Sequence, residues 1–212
     1  MLLALGMVLG LSGIQFDSDV SLSLRAQVTG DLAFVDSLQG TNQSPLHKEI
    51  FGNVGGSVYH QWFYQRVFFF GVDSCGSGGG AVACVKGDAN KIWVTNNYIN
   101  SDYPQIARLM TIFHEARHTE EANNNWPHAK CPLMFPYRSI WTGARLGGHA
   151  ACDTTVYGSY SSATVMLNNI SKFCSNCSDK VKADAAIYSD DQAKRVISSE
   201  AINTLAQDMR YE

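Results

Sequence analysis

The spacing of apolar residues changes character along this chain. Residues 2–16 form an almost unbroken apolar run, with no charge before Asp17. A run of that length is too short to span a bilayer and fits the apolar core of a signal peptide, with Gly10-Leu11-Ser12 as the nearest small-x-small triplet; a buried N-terminal segment is the alternative. Up to about Gly87, short β-type runs at 33–35 and 81–85 are punctuated by Gly, Asp and Asn. The aromatic-rich stretch 59–70 fits strand or helix. Residues 91–99 read as a strand, with Ile92, Val94 and Tyr98 apolar and Asn96 and Asn97 polar, which suits a sheet edge.

A helical period follows. Ile106, Leu109, Met110 and Phe113 fall at i, i+3, i+4 and i+7, with Ser101 or Asp102 placed to cap and Pro104 in the first turn. Asn123-Asn124-Asn125 and Pro127 stop the pattern, so the helix is expected to reach Glu121 or Ala122. Further helices are predicted over 163–173, 180–187 and 190–209, the last capped by Ser189. Strands first and helices later predict an α+β domain. With 212 residues in all, residues 17–212 make one domain after the segment 1–16.

Composition narrows the setting. Hydrophobic residues are 45% and charged residues 17% of the chain, which excludes disorder. A formal net charge of -3 excludes the broad basic field that nucleic acid needs. No later run approaches ~18 apolar residues, so no stable membrane insertion is expected. The six cysteines pair most simply as neighbours, Cys75–Cys84, Cys131–Cys152 and Cys174–Cys177. Zinc-thiolate sites want two close-spaced pairs, and only Cys174 and Cys177 qualify. Disulfides imply a secreted, periplasmic or extracellular setting. Asn42, Asn169 and Asn176 stand in N-x-Ser sequons, which matter only in a glycosylating host.

The chemistry concentrates in His114-Glu115-Ala116-Arg117-His118. Two histidines four apart lie on one helical face and can aim two imidazoles at a single ion, with Glu115 beside them to take a proton from metal-bound water. With six His and six Glu in the chain, chance would place H-E-x-x-H only about 0.005 times. The other residues on that side, Ala107 and Thr111, are small and leave room for a cleft. An edge strand just before the helix can hold an extended peptide by main-chain pairing.

This segment resembles the active-site helix of the zincin metallopeptidases, whose signature is H-E-x-x-H. The resemblance covers residues 91–128 and implies a zincin-like α+β fold, with a small N-terminal sheet, an active-site helix and a helical C-terminal part. It implies Zn2+ as cofactor, His114 and His118 as ligands and Glu115 as general base. Glu121 and Asn124 stand where the metzincin extension has Gly and His, which disfavours that subgroup. Asp153-Thr154-Thr155-Val156-Tyr157-Gly158 is similar to the D-x-x-Y-G element of the aspzincin subgroup, with one extra residue before the Tyr.

A catalytic zinc needs a third protein ligand and an open fourth position. His128, ten residues after His118 and past the Asn-rich turn, is the first choice. Asp153 is the runner-up, and His149 is a third candidate. If His128 is the ligand, Asp153 becomes the natural acceptor for its second ring N–H. A Cys131–Cys152 bridge would gather these candidates. Glu120 points away from His118, and Arg117 is expected to pair with Glu121. Tyr157 or Tyr160 can supply a phenol to an oxyanion, while His47 and His60 carry no role. The expected function is a secreted, monomeric zinc metalloendopeptidase acting on peptide or protein substrates. The alternatives are a catalytically inactive zincin-fold binding module and a metal amidase acting on cell-wall peptides.

Overall fold

A computed structural model of the chain describes residues 13–76, 80–87 and 90–212. Most of the apolar N-terminal run and the centre of the glycine-rich stretch at 76–80 lie outside the described residues. The described part opens with β1 (Gln15–Phe16) and three helices, α1 (Leu22–Asp36), α2 (Pro45–Ile50) and α3 (Gly56–Tyr64). The run at 33–35 is therefore helical. Leu24, Val28, Leu32 and Val35 are the buried apolar positions, a helical period that three residues are too few to display. Ser21 caps α1 by accepting the Leu24 N–H at 3.2 Å.

The aromatic stretch 59–70 divides between the end of α3 and β2 (Phe69–Val72). β3 (Ala83–Cys84) and β4 (Lys91–Val94) complete a four-stranded sheet ordered β1-β2-β4-β3. β1, β2 and β4 run parallel, and β3 is antiparallel to β4. The edge expected at 91–99 thus belongs to β3, since β4 is flanked on both sides. Asn96 and Asn97 lie in a short helix, α4 (Asn96–Ile99), which Thr95 caps.

The predicted regular helix is α5 (Gln105–Arg117). It begins after Pro104 without a side-chain cap and stops four residues short of Glu121. A 3-10 turn at Glu121–Asn123 follows, and then Asn124, Asn125 and Trp126 all take positive φ. α5 is buried almost all round, and Phe113 lies within aromatic contact of Tyr59, Trp62 and Phe63. A two-stranded ribbon, β5 (Ala129–Lys130) with β6 (Ala150–Cys152), then leads to α6 (Ser159–Phe173), α7 (Asp179–Ala193) and α8 (Ser199–Met209). α7 runs straight through Ser189, whose hydroxyl donates to the Thr164 carbonyl instead of capping a helix. Ser198 caps α8. Helices precede most of the sheet as well as follow it, so the domain is α+β with a small sheet and several helices.

The cysteines form three disulfides, Cys75–Cys84, Cys131–Cys152 and Cys174–Cys177. No helix among the described residues is long and apolar enough to cross a membrane. The three disulfides fit an extracellular protein. Asn169 is fully buried and bonded to Ser44, so its sequon is closed to a glycan in the folded chain.

Candidate metal centre

α5 delivers His114 on its last turn and His118 at its C-cap. The left-handed residues that follow reverse the chain, and one of them serves the site directly. Asn125 accepts from His118 Nδ1 at 2.8 Å through its carbonyl and donates its side-chain amide to the His118 carbonyl at 2.7 Å. The helix end is thereby satisfied and the His118 ring is fixed. The returning strand carries His128 to the same point. The three Nε2 atoms lie 3.1 Å (His114 to His128), 3.3 Å (His114 to His118) and 3.0 Å (His118 to His128) apart.

Asp153 stands behind His128. It follows Cys152, which the disulfide ties to Cys131 three residues after His128, and its backbone N–H is held by the Arg195 carbonyl at 2.9 Å. Asp153 Oδ1 accepts from His128 Nδ1 at 3.1 Å. Its Oδ2 accepts the Tyr160 and Ser161 N–H groups at 2.8 and 3.1 Å, in the first turn of α6. A Cβ at Gly158 would meet Asp153 Oδ2 at 2.2 Å, so only glycine leaves room for this carboxylate.

These partners decide the protonation of two rings. The Asn125 carbonyl and the Asp153 carboxylate only accept, so His118 and His128 carry their protons on Nδ1 and present lone pairs at Nε2. Two lone pairs facing each other at 3.0 Å repel unless a cation lies between them or one ring is protonated. Protonation is opposed: burial pushes His118 down to about 4, with the neighbouring His128 adding to the shift. His114 is held well below its usual value by burial, then by His128, His118 and Arg195. A metal ion resolves the conflict, and His114, His118 and His128 form a group that can hold one. No protein-family model, curated protein or solved structure matches the chain.

The group opens on a cleft of about 400 Å³, whose walls include Val82 and Ala83 at the sheet edge, Thr111 on α5, and Trp141 and Arg145 on the 131–152 loop. Glu115 lies on this wall too, 7% exposed, and no described residue hydrogen-bonds its carboxyl. Burial alone pushes it up to about 8. A cation on the imidazoles would draw it down again, towards a carboxylate that accepts a proton near neutral pH. Glu115 thus shares the cleft lining with His114 and His128 and has no hydrogen-bond partner among the described residues.

The remaining candidates separate cleanly. Tyr160 is buried against the site, with its ring 4.4 Å from that of His114 and 4.6 Å from that of His128. Tyr157 instead donates its hydroxyl to Glu49 at an exposed position. His149 is exposed on the cleft wall outside the three-histidine group. Glu120 faces away and accepts from Arg66, Arg117 and Trp126. Arg117 therefore pairs with Glu120 and not Glu121, because α5 ends at Arg117 and the i+4 relation lapses there. His47 and His60 pair with Tyr59 and Asp36, remote in sequence from the site.

Two contributors carried no sequence signal. Arg195 lies in a break between α7 and α8, its guanidinium 4.6 Å over the Tyr160 ring and its Nη1 donating to the Tyr160 hydroxyl at 2.9 Å. Asn125 reads in the sequence only as a helix stop, and it also orients the His118 ring.

Proposed function

We propose that the protein is a secreted, zincin-like, zinc-dependent metalloendopeptidase. The observation that carries this is the pair of Nε2 lone pairs on His118 and His128 at 3.0 Å, with His114 Nε2 beside both. Two nitrogens on one tetrahedral zinc, each at 2.0–2.1 Å, stand about 3.3 Å apart. The observed separations of 3.0–3.3 Å suit that ion. Three neutral imidazoles also favour zinc over calcium or magnesium, which prefer oxygen donors.

When bound, zinc supplies a Lewis acid that lowers the pKa of water towards ~7 and polarises a carbonyl. The chain's residues do the rest. Glu115 takes the proton from the attacking water and returns it to the leaving amine. Asp153 keeps the His128 proton on Nδ1, which leaves Nε2 free for the ion. Tyr160, braced by Arg195, offers a phenol beside the ligands for charge that builds on the scissile carbonyl oxygen. β3 and the residues before it give the cleft a sheet edge along which an extended peptide can pair.

Glu115→Gln tests the proposal. Purified wild type should carry one zinc per chain and hydrolyse casein. The variant should keep the zinc and lose at least a hundredfold in kcat, the lower range for a positioned acid–base group. An active variant, or a wild type that binds no zinc, would sink it.

A further inference from the structure

The 131–152 loop is unlike the rest of this acidic chain. It contains Arg138 and Arg145 and not one Asp or Glu. Arg138 and Arg145 form an antiparallel bridge, supported by the Ser139 N–H on the Ala144 carbonyl and the Leu146 N–H on the Tyr137 carbonyl. Trp141, at the tip, packs 4.1 Å from the Tyr103 ring, and the disulfide ties the base. The loop is thus an ordered hairpin, and its backbone fixes where Arg145 stands.

Like charges directly opposite each other weaken a β pair. Arg138 donates to the Gly143 carbonyl, while among the described residues no carboxylate or carbonyl meets the Arg145 guanidinium. Arg145 lines the cleft, and so does Arg195, whose guanidinium is engaged with Tyr160. Glu115 is the one acidic side chain among the described residues lining it. Arg145 is exposed on a cleft it lines, and its guanidinium, with no carboxylate partner among the described residues, is open to a ligand.

We infer that the cleft selects peptides carrying an Asp or Glu side chain close to the scissile bond, with Arg145 as the residue that receives the carboxylate. This deepens the peptidase proposal and rests on it. Guanidinium and carboxylate match as a two-pronged pair, and the cleft wall carries no second carboxylate to compete beyond Glu115, which is committed to proton transfer. The protein's own charge of -3 provides no general attraction for acidic chains, so the preference must be local to this wall.

The experiment has two arms, both with zinc-loaded full-length protein. A pool of proteome-derived peptides is digested and the cut sites are read by mass spectrometry. Asp and Glu should be enriched within three residues of the cut. Arg145→Glu should abolish that enrichment and favour Lys and Arg instead. In the second arm, Glu115→Gln protein is titrated with a Glu-rich peptide and its Gln counterpart. The acidic peptide should bind about five- to tenfold more tightly at low salt, less so at 0.5 M salt, and equally once Arg145 is Gln. Cleavage with no acidic enrichment, or equal binding of the two peptides to protein with Arg145 intact, overturns the inference. Absence of any cleavage overturns the peptidase proposal, and the binding arm still decides the acidic preference.

Discussion

Asp153→Asn is the sharpest test of the site, because the variant keeps the shape and changes only which atoms accept. Asp153 accepts three hydrogen bonds, from His128 Nδ1 on one oxygen and from the Tyr160 and Ser161 N–H groups on the other. Asparagine offers one oxygen and one donating amide. If its oxygen serves the two backbone N–H groups, its amide faces His128 Nδ1 and drives the ring proton to Nε2, where it blocks metal binding. If the side chain flips, the amide opposes the two N–H groups at the start of α6. Either way one arrangement is lost. Removal of a carboxylate behind a ligand histidine typically lowers metal affinity about 10–100-fold, or about 1.4–2.7 kcal/mol. The metal-free fold should weaken by about 1 kcal/mol as well, since the negative charge near the N-terminus of α6 is gone. Competition with a fluorescent zinc chelator gives the first number, and urea unfolding in excess chelator gives the second. Zinc affinity within twofold of wild type would refute the tautomer reasoning, and with it the strongest support for a metal centre.

Gly158→Ala should act on the same carboxylate by steric displacement. The new Cβ would lie 2.2 Å from Asp153 Oδ2, so about 1–3 kcal/mol of stability and part of the zinc affinity should go together; chelator competition and urea unfolding on one preparation check this, and loss of neither would contradict the packing. His47 predicts a pH dependence away from the metal. Burial holds it down to about 4, opposed by its bond to the Gly52 carbonyl, against 6.5 when unfolded. The unfolded chain therefore binds the extra proton, and stability present above pH 6.5 is lost as pH falls towards 4, by about 3 kcal/mol in all. Urea midpoints in chelator at pH 7 and 4.5 should show the loss, and His47→Gln should shrink it; an unchanged pH slope in the variant would remove His47 as its source.

The site was more legible in the sequence than the fold around it. His114 and His118 face one point wherever their segment is helical, and spacing alone guarantees that. His128 could be proposed because an Asn-rich turn needs only a few residues to bring a strand back across a helix end. Asp153 came into range through the simplest pairing of Cys131 with Cys152. Longer-range structure was harder to read. The run at 33–35 suggests a strand because the buried residues of α1 are separated by Gly, Thr and Asp. The polar residues after Val94 suggest an edge strand through 91–99, whereas Thr95 ends β4 and caps a turn of helix. Arg195 meets Tyr160 only through the break between two helices that periodicity merges into one.

That break is part of how the centre is held. Asp153 joins four segments. It accepts from His128, it caps α6, its neighbour Cys152 is tied to Cys131, and its backbone bridges to Val196 beside Arg195. A continuous helix through 194–198 would leave the Arg195 carbonyl to an intrahelical partner and release the Asp153 N–H. Cross-linking the loop between Cys131 and Cys152 contributes about 3 kcal/mol by limiting the unfolded chain, and it does so at the point where His128 and Asp153 must meet. The fold thus places a covalent and hydrogen-bonded junction behind the His128 imidazole, while the end of α5 carries His114 and, with Asn125, holds His118. His128 is the candidate ligand that local helix geometry could not supply, and the junction at Asp153 is what the chain uses to bring it to the other two histidines.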